Sequence, residues 1–364
     1  MNSATSAPPL QPRTIDEVVA AVRTHGKLLP VGAGTKPALA SPPAGFTAMS
    51  LRGLSGIVEY DPGEYTFTAL AGTPLRDVGA ALGAHGQHLP FDPPFAAAGA
   101  TLGGTIGAGL SGPGRQRYGG VRDFILGVRF VTGAGELVRG GGKVVKNAAG
   151  FDLPKLLVGS LGRLGAIVEV TFKVFPRPRA MATLRAVFPD LAAALGALVR
   201  LGAAPFDIEA LEFEPPGTLS IRLGGAQETF ADRLGRLAAF VGGATEIVAG
   251  AADGEFWRAF ELAQFAAGPG LLVKVPLTVK AIPELDPLLG AAGARRRYSA
   301  GGNLAWVAWP GSAASLDALL RSRALAGLVL AGETPNPLLG LTRGDNFRSR
   351  IKSALDPAGR FPGY

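Results

Sequence analysis

Between Gly99 and Gly120, nine of 22 positions are glycine. A glycine inside a regular helix or strand costs about 0.5–1 kcal/mol, so such a run makes sense where backbone must pass close to another group. Phosphate oxygens, which accept several backbone N–H bonds at once, are the natural partner. A loop this long inside a compact domain is uncommon unless it is functional. Two further glycine segments accompany it, VGAGTK at 31–36 and KNAAGFDLPKLLVGSLGRLGAIVEVTFKVFPRP at 146–178.

Single-motif phosphate chemistries do not fit. Lys143 follows three glycines, but Val144 stands where a P-loop has Ser or Thr, and the required upstream glycine is missing. Gly107, Gly109 and Gly112 spell G-x-G-x-x-G, yet Pro113-Gly114 follows where a helix should open. Ser111 and Ser160 each lack one flanking glycine of a nucleophile elbow. The chain has no cysteine, which excludes thiol catalysis, disulfides and cysteine-ligated metal clusters within it. Its three histidines, His25, His85 and His88, all lie in the first quarter, and two at a three-residue gap are too few for a metal site. Glu209, Glu212 and Glu214 fall on a predicted strand and are expected on its exposed face.

The elements that must hold these residues alternate along the chain. A helix is predicted from Thr14 as cap through Val22, a short strand at 28–34, strands at 56–61 and 65–72, and a helix at 73–86 capped by Thr73. A hairpin at 125–138 and a strand at 166–176 follow the glycine-dense loop. Composition shifts at Pro176-Arg177-Pro178-Arg179. Beyond it, helices near 189–202, 227–241 and 253–266 and strands near 207–213, 218–223, 270–276 and 304–309 suggest a separate α+β unit. The tail reads as an amphipathic helix ended by Asp356-Pro357. With 364 residues, 47% hydrophobic and 18% charged, the chain is globular and of two or three domains. Net charge is +8, but the basic residues are scattered and their one tight run, Arg295-Arg296-Arg297, is short. This argues against nucleic-acid binding. No apolar stretch reaches the ~18 residues of a membrane span, and no secretory signal is evident.

Together the three glycine segments resemble the FAD-binding domain of the vanillyl-alcohol oxidase/PCMH flavoprotein superfamily, and within it the flavin subunits of bacterial glycolate oxidases. The resemblance implies an α+β fold: a PCMH-type (VAO-like) two-subdomain FAD-binding domain at 1–178, with subdomains about 13–56 and 57–178. A smaller α+β cap domain at 179–330 and a tail at 331–364 returning toward the FAD domain would follow. It places Gly32, Ala33, Gly34, Thr35 and Lys36 in a first cofactor loop, Pro93 before the second, and Thr101, Leu102, Gly103 and Gly104 in it. Ser111, Arg115, Tyr118, Gly119, Arg122 and Asp123 match the stretch after it, and Asn147, Gly150 and Ile167 the third segment. Lys36, Arg115 and Lys146 are candidate cations for a reduced flavin. Tyr118 could stack or merely pack, and Asp123 could pair with Arg122 or Arg129. Trp257, Trp306 and Trp309 could line the flavin's open face or a subunit contact, with core packing expected.

Covalent members carry a histidine in the first loop or a later cysteine, whereas this chain has Ala33 and no cysteine, so FAD is expected to be held non-covalently. Hydroxy-acid-oxidising relatives carry cap histidines, and none follows His88. The resemblance therefore implies a division of labour in a cytoplasmic complex, peripheral at the inner membrane. This subunit would pass electrons, a homologous FAD-containing subunit would oxidise a small 2-hydroxy acid such as glycolate, and an iron–sulfur subunit would be a separate chain. The alternatives are a self-sufficient flavin oxidoreductase and a non-catalytic assembly subunit.

Overall fold

The computed structural model describes residues 8–142, 151–265 and 268–364. The helix expected at Thr14 forms as Ile15–Thr24: Thr14 Oγ1 accepts the Glu17 N–H at 3.1 Å, and Val18 and Val22 face the core. It is followed by Leu28–Val31, which pairs in parallel with Thr47–Ser50. A five-stranded antiparallel sheet comes next, ordered Ile57–Asp61, Thr66–Leu70, Ala166–Lys173, Ile125–Val131, Leu137–Gly141. Phe67, Phe91, Phe124, Phe130 and Phe172 fill the core beneath it.

Two local expectations are corrected. The helix near 73–86 runs Leu75–Gly83 with Pro74 at the cap position; the Thr73 hydroxyl instead accepts the Gly56 N–H at 3.0 Å and donates to the Leu70 carbonyl at 2.7 Å. The glycine-dense stretch is not one loop either. Leu102–Ala108 is helical, capped by Thr101 and ended by Gly109 at φ +61°. Glycine is a poor helix former, but tertiary packing overrides propensity. A Cβ on Gly103 would stand 2.8 Å from the Ala71 Cβ, so only glycine lets this helix lie against Ala71.

The second half builds a nine-stranded sheet in the order Ala244–Ala249, Ala180–Val187, Thr218–Gly225, Ile208–Glu214, Arg295–Ser299, Leu304–Trp309, Leu271–Pro276, Ala326–Ala331, Leu338–Gly340. Five of these, at 180–187, 244–249, 295–299, 326–331 and 338–340, escape the sequence reading, as do the helices Ile282–Ala291 and Ala313–Ser322. The arginine run at 295–297 conceals its strand because tertiary partners take up its side chains, Arg295 donating to the Phe265 carbonyl at 2.6 Å. Arg296 forks onto Asp286 at 2.7 and 2.7 Å, and Arg297 lies 3.6 Å from Glu212.

Strand period decides what each sheet face carries. Leu271, Val273, Val275, Tyr298, Val307 and Val329 pack under helices in the second lobe's own core. Their neighbours Leu272, Leu304, Trp306 and Leu330 join the core of the first lobe, so this sheet's opposite face closes onto the five-stranded module. The tail helix Asp345–Leu355 returns to the first lobe. There Lys352 Nζ donates to the Arg163 and Phe361 carbonyls at 2.6 and 2.9 Å, and Phe361 is buried beside Leu28 and Met49. Among the described residues no helix is long and apolar enough to cross a membrane.

Candidate functional site

The first glycine segment and the Thr101 helix meet in one cleft. Gly32, Ala33, Gly34, Thr35 and Lys36 line it from the end of the Leu28–Val31 strand, Thr101, Gly103 and Gly104 from the helix start, and Ile167 from the central strand of the five-stranded sheet. Gly32 is required by close approach, since a Cβ there would run into Thr101 Oγ1. Gly34 is required by conformation. It sits at φ +71° with open space beside it, so the backbone turns left-handed where a ligand would lie.

Lys36 is the cleft's charge. Its side chain is buried, Nζ donates to Thr35 Oγ1 at 3.0 Å, and Nζ lies 5.5 Å from the Phe95 ring centre. No carboxylate among the described residues stands within ion-pair distance of it. Burial alone pulls its pKa down to about 8, the signature of a cation that lacks its counter-ion. The cleft's walls are otherwise small or apolar, so it suits an elongated anionic ligand that Lys36 and turning backbone can hold.

The helix start contributes shape more than free donors. The Gly103 N–H is already given to the Ala71 carbonyl at 2.8 Å, and the Gly104 N–H to Thr101 Oγ1 at 3.2 Å. Leu102 points into the core and gives its N–H to the Thr73 carbonyl.

Other expected site residues fall elsewhere. Ser111 Oγ is buried and accepts the Val121 N–H at 2.9 Å, bracing two turns. Asp123 accepts the Gly120 N–H at 2.8 Å, while Arg129 pairs with Glu169. Gly119 lies at φ +86° hard against Asp123, and Arg122 is exposed. Pro93 lines a second chamber with Trp257 and Trp306, whereas Trp309 packs in the second lobe's core. Lys146, Asn147 and Gly150 lie outside the described residues.

Tyr118 neither stacks in the cleft nor simply packs. Its hydroxyl donates to Glu209 at 3.2 Å across the lobe boundary, beside Arg117, which reaches Glu209 and Asp207 at 3.2 and 2.8 Å. Burial pushes the Tyr118 phenol up to about 12.

The expectation that the Glu209–Glu214 strand shows its acids to solvent is overturned. Glu209 and Glu212 are buried, because that sheet face is covered by the first lobe. Burial raises Glu212 to about 7, against the opposing pull of Arg297.

One residue was not singled out from the sequence. Lys274 interrupts the apolar strand Leu271–Pro276, alternating with Val273 and Val275, and turns to the first lobe, where Nζ donates to the Gly109 carbonyl at 2.7 Å. Burial, reinforced by Arg115, lowers it to about 8. A lone lysine in such a strand was the signal available.

Comparison with known proteins now defines the class. Residues 9–141 match the family model of the FAD binding domain, so the cleft belongs to a flavoprotein of the PCMH type. Along nearly its whole length, 95% of this chain and 94% of the relative, the sequence is 34% identical to the glycolate oxidase subunit GlcE of Escherichia coli K12. The chain belongs to that family. It is 30% identical to the glycolate oxidase subunit GlcD of Bacillus subtilis 168 over 58% of this chain and 46% of the other, and 36% identical to a D-lactate dehydrogenase of Archaeoglobus fulgidus over 39% and 32%. The fold superposes on alkyldihydroxyacetonephosphate synthase with a TM-score of 0.73 over 97% of this chain and 75% of that one, at 16% identity.

Proposed function

We propose that this chain is the non-covalent FAD-binding subunit of a complex that oxidises glycolate or a similar small 2-hydroxy acid. It would pass electrons alongside a homologous FAD-containing subunit and a separate iron–sulfur subunit. In this reading residues 1–178 form the FAD-binding domain, 179–330 the cap, and 331–364 a tail that closes on the first domain.

The observation that carries it is the uncompensated buried Lys36 beside the left-handed Gly34. An anionic diphosphate there would supply the missing counter-charge, and the Gly34 turn would leave room for it. The flavin would supply the redox chemistry. Ala33, Thr35 and Ile167 shape the wall, and Lys36 supplies the charge. With no cysteine in the chain and no histidine lining the cleft, nothing there would bond to the flavin ring.

The test is to purify the chain alone, record its visible spectrum and identify the flavin released by acid. A yellow protein that yields free FAD, and a Lys36→Met variant that retains less of it, are expected. A folded, colourless protein that takes up no added FAD would overturn the reading and leave an assembly role.

A further inference from the structure

Each of the two large sheets ends in two outer strands, and no strand among the described residues pairs with their far edges. Such an edge presents a row of unpaired N–H and C=O groups, which proteins blunt with charge, proline, bulges or brevity. Three of these four edges are blunted. Leu338–Gly340 is three residues long, follows Pro335 and Pro337, and gives its Leu338 and Gly340 N–H groups to the Asn336 and Asp317 side chains at 3.0 and 2.7 Å. Ile57–Asp61 carries two acids, slips register between Ile57 and Glu59, and runs into Pro62. Leu137–Gly141 carries Arg139 and ends in two glycines.

The fourth edge is bare. Ala244–Ala249 is six residues long, about 20 Å, with no proline, an unbroken register against its neighbour and a single charge. That charge, Glu246, is met within the chain by Arg185 at 2.8 Å. Five of the six residues are exposed, so neither lobe covers this edge. Ile247, 52% exposed, lies on the same face as its partner Leu184. Two more large apolar side chains are exposed close by. Val187 lies opposite Ala244 on the next strand, and Phe240 stands near the end of the helix Phe230–Val241 that leads into this one.

A bare edge takes a strand, and this one fits itself. We propose that the Ala244–Ala249 strands of two copies of this chain pair antiparallel about a two-fold axis, joining the two nine-stranded sheets edge to edge. A two-fold perpendicular to the sheet keeps every residue on its own face, so opposed residues differ by an even number. Two registers then overlap most fully. Centring on Glu246 sets two carboxylates directly opposite each other, which is destabilising. Centring on Ile247 sets Ile247 against Ile247, Thr245 against Ala249 and Glu246 against Val248. The second register opposes no like charges and buries the apolar residue at the axis. A single strand pair with a few apolar neighbours is smaller than the ~1,600 Å² of a standard interface, so the dimer is weak and reversible. The pairing needs no cofactor, and its outcome is the same whether or not the chain holds FAD.

The test uses the full chain, which has no cysteine of its own. Directly opposed residues of an antiparallel pair have Cα atoms about 4.5 or 5.5 Å apart, a distance that a disulfide spans. Ile247→Cys should therefore cross-link two copies under mild oxidation. Thr245→Cys, also exposed, should not, since the two-fold holds its two copies about 14 Å apart. Sedimentation velocity of the wild-type chain from about 1 to 100 μM should show a reversible monomer–dimer equilibrium. Ile247→Lys sets two cations against each other at the axis and should raise the dissociation constant about tenfold. Val58→Lys, at an exposed site on the blunted edge of the other sheet, should leave it unchanged.

A chain that stays monomeric over this range would overturn the proposal, as would a dimer that Ile247→Lys leaves intact. Cross-linking of the Thr245→Cys chain as readily as the Ile247→Cys chain would reject the two-fold register.

Discussion

Lys36 links the cofactor to pH. FAD would bind the protonated lysine, whose pKa in the free protein is about 8. Affinity should therefore hold at neutral pH and fall above pH 8, by at most about tenfold per pH unit for one linked proton. Fluorimetric FAD titrations between pH 7 and 9.5 should show this slope, and Lys36→Met should bind more weakly with the slope gone. Glu212 acts on stability. Its carboxyl is raised to about 7 in the folded chain, so between the unfolded value near 4.5 and pH 7 the unfolded chain has released a proton that the folded one keeps. Stability contributed at this position is thus present at low pH and declines as pH rises to 7. Burial and the nearby arginines 177 and 222 lower His88 to about 4, which gives the opposite slope between pH 4 and 6.5. Denaturant midpoints of Glu212→Gln against wild type should show the variant gaining relative stability from pH 5 to pH 8, with the His88 slope common to both.

At the scale of elements, two glycines near one cleft should respond differently. Gly34→Ala places a side chain in open space at φ +71°, a strain of about 1–2 kcal/mol. The fold should survive while FAD affinity drops. Gly103→Ala puts a methyl 2.8 Å from Ala71 Cβ and 3.0 Å from its carbonyl, so the helix must leave the turn it leans on. Here the apo protein itself should melt earlier. Thermal melts without FAD, set beside FAD titrations, separate the two cases. The same contrast explains what was legible in advance. The three glycine segments announced a ligand cleft, because nothing local asks for so many glycines. They did not announce that Gly103 serves packing, that Ser111 and Asp123 brace turns, or that a helix runs through the densest stretch. The strand at 295–299 stayed hidden behind three arginines; Arg296 turns to Asp286 on the preceding helix, and Arg297 to Glu212 on a strand far earlier in the chain. The orientation of Glu209 and Glu212 could not be read either, since it depends on one lobe covering another.

For the molecule as a whole, the tail is a clasp. Asp356 is buried and accepts the backbone N–H groups of Arg360 and Phe361 at 2.8 Å each, as well as Lys352 Nζ at 2.5 Å. Asp356→Ala removes the carboxylate from the half-buried Lys352 ammonium and frees the last turn, and should cost about 3 kcal/mol, measured by urea denaturation of the full chain. The two large sheets are antiparallel and the contacts mostly non-local, which predicts slow folding.

The Leu28 N–H is given to the Arg360 carbonyl, and Phe361 seals the core beneath that first strand. The strand leads directly into the 31–36 turn. An early strand therefore waits for residues 360–361, made long after it. Until these are made, the foundation of the Lys36 loop is missing, and a nascent chain halted before Arg360 would emerge with its second sheet complete and the cleft at the 31–36 turn still open at the base.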